Sequence, residues 1–168
     1  MLTENLPQYP TRGNRRRLDE AWLELLHQDG FGRFLREVPG PPPGLLRSVE
    51  EFNRGLYWQC HETLEGLWLP QRYPLRLFYH GLIKGAVGLL HLERRNQPGA
   101  RAKLRDAQYT LYPFAPRFMG LDVARLRVDL AGRLAALEED GPVDWEAMAA
   151  LPAVRLHLEP DSPAAAGE

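Results

Sequence analysis

The stretch SVEEFNRGLYWQCHETLEGLW, Ser48 to Trp68, decides the fold. Ser48 followed three residues later by Glu51 has the form of a capping box, which predicts a helix opening at Ser48. Gly55 interrupts the helical pattern. An interior glycine forfeits about 1 kcal/mol of helix propensity, so Gly55 is read as a turn between two helices, over 49 to 54 and 57 to 69, closed by Pro70. In the second helix Tyr57, His61, Leu64 and Trp68 recur on one face, beside an apolar stripe of Cys60, Leu64 and Leu67. His61 and Glu65 stand one turn apart and can touch, while Glu62 follows Trp58 by the same interval and points to the flank. The spacing predicts a histidine facing another helix, with Glu65 or a backbone carbonyl within hydrogen-bond reach.

Downstream, Pro74 is placed to open a helix over 75 to 95 whose apolar residues nearly surround it, as expected of an element touched on several sides. Gly81, Gly85 and Gly88 fall on one line of it. Three glycines there predict a closely packed neighbour, expected to be the helix carrying His61, with Gly85 at the middle of the contact. His80, Lys84 and His91 form the adjoining line. His80 and His91 are about 16 Å apart along the axis and cannot share one metal. A helix over 98 to 111 follows the Asn96 to Gly99 corner, and TLYPFAPRF forms an irregular aromatic connection over the end of the core. Asp122 is an N-cap for a helix over 122 to 139, with Leu121 and Leu126 as a hydrophobic staple, and Asp144 caps a short helix, WEAMAAL. VRLHLE, residues 154 to 159, alternates but has no strand partner in a helical protein, so it is expected as extended chain on the surface.

Upstream, Pro39 to Gly44 is a proline-glycine boundary. Before it lie an irregular arm over 1 to 14, a helix over 15 to 28 and a short helical piece with Phe31, Phe34, Leu35 and Val38 as its apolar side. The expected organisation is 1–44 as an N-terminal arm and helical extension packed on the core, 45–141 as the helical core domain, and 142–168 as a short helix with an irregular tail.

Phe52, Gly55, Tyr57, Trp58, His61, Glu62, Glu65 and Trp68, followed by Gly81-Leu82-Ile83, Ala86, His91, Asn96 and Gly99-Ala100, form a combined motif over about 50 to 112. It resembles a family of small bacterial and archaeal proteins catalogued as a domain of unknown function, number 309. Cys60 departs from it, where relatives tend to carry an aliphatic residue. The resemblance implies an all-α fold of antiparallel helices in a right-handed, tetratricopeptide-like superhelix, here about five core helices plus the N-terminal extension. No activity comes with it. The Gly55 and Asn96 corners read as two degenerate helical hairpins.

The 21 basic and 22 acidic residues nearly cancel, which argues against a dedicated nucleic-acid binder. A lone cysteine excludes an intrachain disulfide. No apolar stretch reaches the roughly 18 residues that span a bilayer, and the N-terminus lacks the order of a secretory signal, so a cytoplasmic, membrane-free protein is expected. Chemistry-bearing side chains concentrate at Tyr57, Trp58, His61, Glu62, Glu65 and Trp68, with His80 and Lys84 opposite. The favoured function is a non-catalytic binding or scaffold module for a peptide, a small ligand or another protein, a homodimer included, with no cofactor expected. The alternative is a small enzyme with a divalent metal on His61, Glu65 and His80 and with Glu62 as acid or base. His61-Glu62 begins like HExxH, but Glu65 stands where the second histidine would be, which removes zinc-protease chemistry.

Overall fold

The structure, a computed structural model, describes residues 32–38, 40–71 and 74–159. The expected arm over 1 to 14, the helix over 15 to 28, Phe31 and the tail beyond residue 160 lie outside the described residues. Among those described, helix follows helix: α1 (Gly32–Glu37), α2 (Pro43–Asn53), α3 (Tyr57–Trp68), α4 (Leu75–Glu93), α5 (Gln97–Leu111), a 3-10 turn (Tyr112–Phe114), α6 (Val123–Glu138) and α7 (Trp145–Ala150). Between the 3-10 turn and α6 sits a small antiparallel hairpin, β1 (Arg117–Phe118) with β2 (Leu121–Asp122). Each helix from α2 to α6 packs chiefly on its neighbours in sequence, the arrangement that short connections favour.

The α2–α3 corner forms as read. Gly55 has φ 75°, its N–H donates to the Phe52 carbonyl at 2.9 Å, and the Leu56 N–H reaches Glu51 O at 2.9 Å. This is a Schellman end, whose left-handed position favours glycine. The α4–α5 corner repeats it, with Arg95 N–H on Leu92 O at 3.0 Å and Asn96 N–H on His91 O at 2.9 Å. There Arg95 occupies the left-handed position, at φ 54°.

Helix α2 starts earlier than the capping-box pattern predicts. Proline tolerates the first helical turn, so Pro43 opens the helix and the proline run leads into it. Ser48 lies inside, buried, its Oγ donating back to Leu45 O at 2.7 Å. Asp122 and Asp144 cap as expected, their Oδ1 atoms accepting from Arg125 N at 2.9 Å and Ala147 N at 3.0 Å.

The core fills with α4, whose Phe78 and Tyr79 are buried, and with Phe114 and Phe118 from the aromatic connection. Phe78 lies 5.2 Å from Phe114 and 4.6 Å from Phe118, ring centre to ring centre. Phe34 reaches Phe118 at 6.1 Å, so this part of the N-terminal extension folds back on the core.

The glycine line of α4 faces a different neighbour from the one expected. A Cβ at Gly81 would stand 2.6 Å from Leu111 Cδ2, and one at Gly88 2.7 Å from Leu104 Cδ2 and 3.2 Å from the Leu104 backbone nitrogen, so the close partner is α5, not α3. At Gly85 a Cβ would meet only Leu130 of α6, at an ordinary 3.4 Å.

The segment after α7 also has the partner that the sequence did not reveal. Asp122 N–H donates to His157 O at 2.9 Å and Glu159 N–H to Gly120 O at 2.8 Å, so the β-hairpin holds one end. The Asn53 amide clamps the middle, accepting from Leu156 N at 2.7 Å and donating to Leu156 O at 2.9 Å. Val154 and Leu156 point into the core while Arg155 is exposed and His157 half-buried, the two-residue alternation of extended chain. We call residues 152–159 the strap. No helix among the described residues is long and apolar enough to cross a membrane.

Candidate functional site

The residues singled out on α3 divide between two environments. At its C-terminal end Trp68 lies 5.1 Å from the His80 ring, with the Arg76 guanidinium 4.1 Å over the indole. Arg76 also donates to Leu69 O at 3.2 Å and Gln71 O at 3.4 Å, closing the helix end. One turn from the other end His61 stacks on Trp58, centroids 5.1 Å apart, and its enclosed Nδ1 has no hydrogen-bond partner. At Nδ1, then, neither Glu65 nor a backbone carbonyl supplies the expected hydrogen bond. Trp58 and Glu62 are exposed and Glu65 is half-buried.

Both histidines of the metal alternative are thus engaged with indoles. Among the described residues no group of three or more His, Cys, Asp or Glu could hold a metal ion, which overturns the divalent-metal set of His61, Glu65 and His80. The physical reason is that spacing along α3 brings His61 and Glu65 to one region without supplying a convergent third ligand. Lys84 is buried, its Nζ donating to Thr110 Oγ1 at 3.2 Å across the α4–α5 contact. Burial, with Glu51 adding to it, pushes the Cys60 thiol up to about 12, which keeps it protonated and inert.

Tyr57, at the start of α3, belongs to a different place. It packs edge-on against Phe52, at 5.4 Å between centroids, and lines a cleft of ≈ 430 Å³ between the end of α4, α6, α7 and the strap. Leu89, Leu92, Trp145 and Met148 give the cleft apolar walls, and Glu93, Arg95 and Arg133 bring charge to it. Burial raises the Tyr57 pKa, with the Glu93 charge acting the same way and Arg133 opposing. Burial also raises that of Glu93, against the opposing pull of Arg94. Arg133 donates to the Pro152 carbonyl and so fixes the strap to α6. A concave, largely apolar site with a few convergent polar groups and displaced titrations is the kind of place where small ligands bind.

Of the residues chosen from sequence, then, only Tyr57 lines this cleft. Glu93, Arg95, Arg133 and Trp145 went unselected as a group because they come from three separate stretches of chain, the α4–α5 corner, α6 and α7. The one local signal was Arg95, a non-glycine residue at a helix end where the matching corner has Gly55.

Fold and cleft together define a helical-hairpin protein with a lined surface site. The chain matches, over residues 45–102, the family described as Domain of unknown function (DUF309). That segment runs from the first turn of α2 into α5 and contains both Schellman corners. It therefore includes Tyr57, Glu93 and Arg95 of the cleft but neither Arg133 nor Trp145. No curated protein matches the chain.

Proposed function

We propose that the chain is a non-catalytic binding module whose ligand site is the cleft between α4, α6, α7 and the strap. The observation that carries this is the joining of apolar walls to two guanidinium groups, Arg95 and Arg133, beside the partly desolvated Glu93 and Tyr57. Arg95 holds a left-handed backbone conformation that costs a non-glycine residue about 1–2 kcal/mol. A non-glycine residue in that conformation, lining the cleft, supports a role for its side chain there. The chemistry fits an apolar group ending in a carboxylate, such as a small aromatic acid or a peptide terminus, with the carboxylate on the arginines and the apolar body on Trp145 and Leu92.

The test is protein-observed NMR with phenylacetate as probe. Saturable shifts of the Trp145 indole N–H and the Arg95 amide are expected, weakened about tenfold by Arg95→Gly. Shifts that never saturate, or that survive Arg95→Gly unchanged, would overturn the proposal.

Two finer features go with this proposal. The equivalent corners at Gly55 and Arg95 support two stacked hairpins in a right-handed, tetratricopeptide-like turn, and the lone, buried Cys60 suits a cytoplasmic setting. A homodimer is the proposed protein partner, because Trp58 and Leu69, 51% and 61% exposed, share the Glu62 face of α3. Light scattering that reports a monomer at all concentrations would exclude it.

A further inference from the structure

A second groove lies on the other side of the strap. It occupies ≈ 370 Å³ between the outer face of α6 and the outward side chains of the strap. Arg125, Val128, Asp129 and Gly132 fall on one α6 face, at successive helical intervals. Gly132 has no side chain, and a Cβ there would meet nothing within 4 Å, so the floor is low and open. From the opposite wall the strap's alternation brings Arg155 and His157, and Arg133 closes the end nearest the first cleft.

The charges in this groove are unbalanced. Arg125, Arg133 and Arg155 have no carboxylate within salt-bridge distance among the described residues, whereas Arg47, Arg54, Arg105 and Arg117 each have one. Three arginines thus line the groove against the single carboxylate of Asp129, in a chain whose net charge is −1. Planar guanidinium forks match the oxygens of a dianion in bidentate pairs, which favours an anion in such a groove. One flank is apolar: Val128 is 70% exposed, and Pro152 and Ala153 stand beside it.

We propose that this groove binds a small organic phosphate monoester. The phosphate lies between Arg125 and Arg155, with Arg133 at the end of the groove, and the organic part lies against Val128 and Pro152. A volume of ≈ 370 Å³ suits a ligand of that size. The site is separate from the carboxylate cleft, sharing with it only the end of the strap and Arg133.

Calorimetric titration of the full chain with phenyl phosphate, and in parallel with inorganic phosphate, tests it. Phenyl phosphate is expected to bind at one site, about tenfold more tightly than inorganic phosphate, and the double variant Arg125→Gln/Arg155→Gln to lose at least about tenfold in affinity. Both arginines are exposed, so the variant's thermal unfolding should match that of the parent, and its NMR response to phenylacetate should persist because neither side chain lines the first cleft. Equal affinity for the two phosphates, undiminished binding by the double variant, or no saturation would each overturn the proposal. Loss of the phenylacetate response alone would count against the first cleft and not this one.

Discussion

At the scale of single residues, glycines that look alike in sequence do different things. Gly81, Gly85 and Gly88 share a line on α4, and the middle one is where a closely packed neighbour would be expected to press hardest. The structure reverses that order, because the axes of α4 and α5 approach at Gly81 and Gly88 while Gly85 looks toward Leu130 across ordinary contact distance. Gly88→Ala should destabilise the protein by about 1–3 kcal/mol, since the methyl group meets both the Leu104 side chain and its backbone. Gly85→Ala should stabilise it by up to about 1 kcal/mol through helix propensity alone. Denaturant midpoints of the two variants decide this, and shifts of the same sign would mean that the close approach is misplaced.

His91 is a second residue whose meaning lies beyond its spacing. Asn96 joins it to the start of α5: Oδ1 accepts from Gly99 N at 3.1 Å while Nδ2 lies 3.2 Å from His91 Nδ1. The amide can donate only to an unprotonated nitrogen, so the pair requires neutral imidazole with its proton on Nε2. Burial lowers the His91 pKa from its ordinary 6.5, and the Lys103 and Arg94 charges lower it further. The unfolded chain therefore binds this proton more readily than the folded one. Stability from this source is complete above pH 6.5 and is lost as the pH falls from there toward the lowered folded value. In His91→Gln the pH dependence of the melting temperature between about 5 and 7 should be flatter than in the parent. Parallel profiles would show that His91 titrates alike in both states.

At the scale of elements, what was legible in the sequence is what local hydrogen bonding determines. Gly55, Asn96, Asp122 and Asp144 mark helix ends because each satisfies a terminal backbone group within a few residues of itself. Ser48 misled because the same side chain can cap a helix or bond back to a carbonyl inside one, and Pro43 settled the outcome five residues earlier. The strap was legible as extended chain, through its alternation, but not as a held one. Its partners, Asn53 and the β-hairpin, are distant in sequence, and no local pattern marks an asparagine as a clamp. The cleft was hidden for the same reason, and His61 with Glu65 stood out only because they are near in sequence. Asn53→Ala leaves the Leu156 N–H and carbonyl without that clamp and should cost about 1–3 kcal/mol. It should also raise amide exchange at Leu156 before that of the α4 core. Unchanged protection at Leu156 would show that the hairpin alone holds the strap.

At the scale of the whole molecule, the boundary expected near residue 141 becomes a question of energy. Reading the chain as a core over 45–141 followed by a short helix and tail treats what comes after Gly141 as decoration. Met148, Val154 and Leu156 are at most 9% exposed and join the same core as α4 and α6. At about 1.5–3 kcal/mol for each such side chain, their burial contributes on the order of 5–9 kcal/mol, comparable with the total stability of an ordinary domain. The strap also closes one wall of both clefts, so the segment that completes the core builds the candidate sites as well. A chain ending at Gly141 should therefore lose its cooperative thermal transition, whereas one ending at Glu159, which keeps α7 and the strap, should retain it. Comparing the two separates removal of the strap from removal of the residues beyond it. A sharp transition in the chain ending at Gly141 would establish the two hairpins and α6 as an independent domain, with α7 and the strap as an attachment that shapes the clefts without holding the fold.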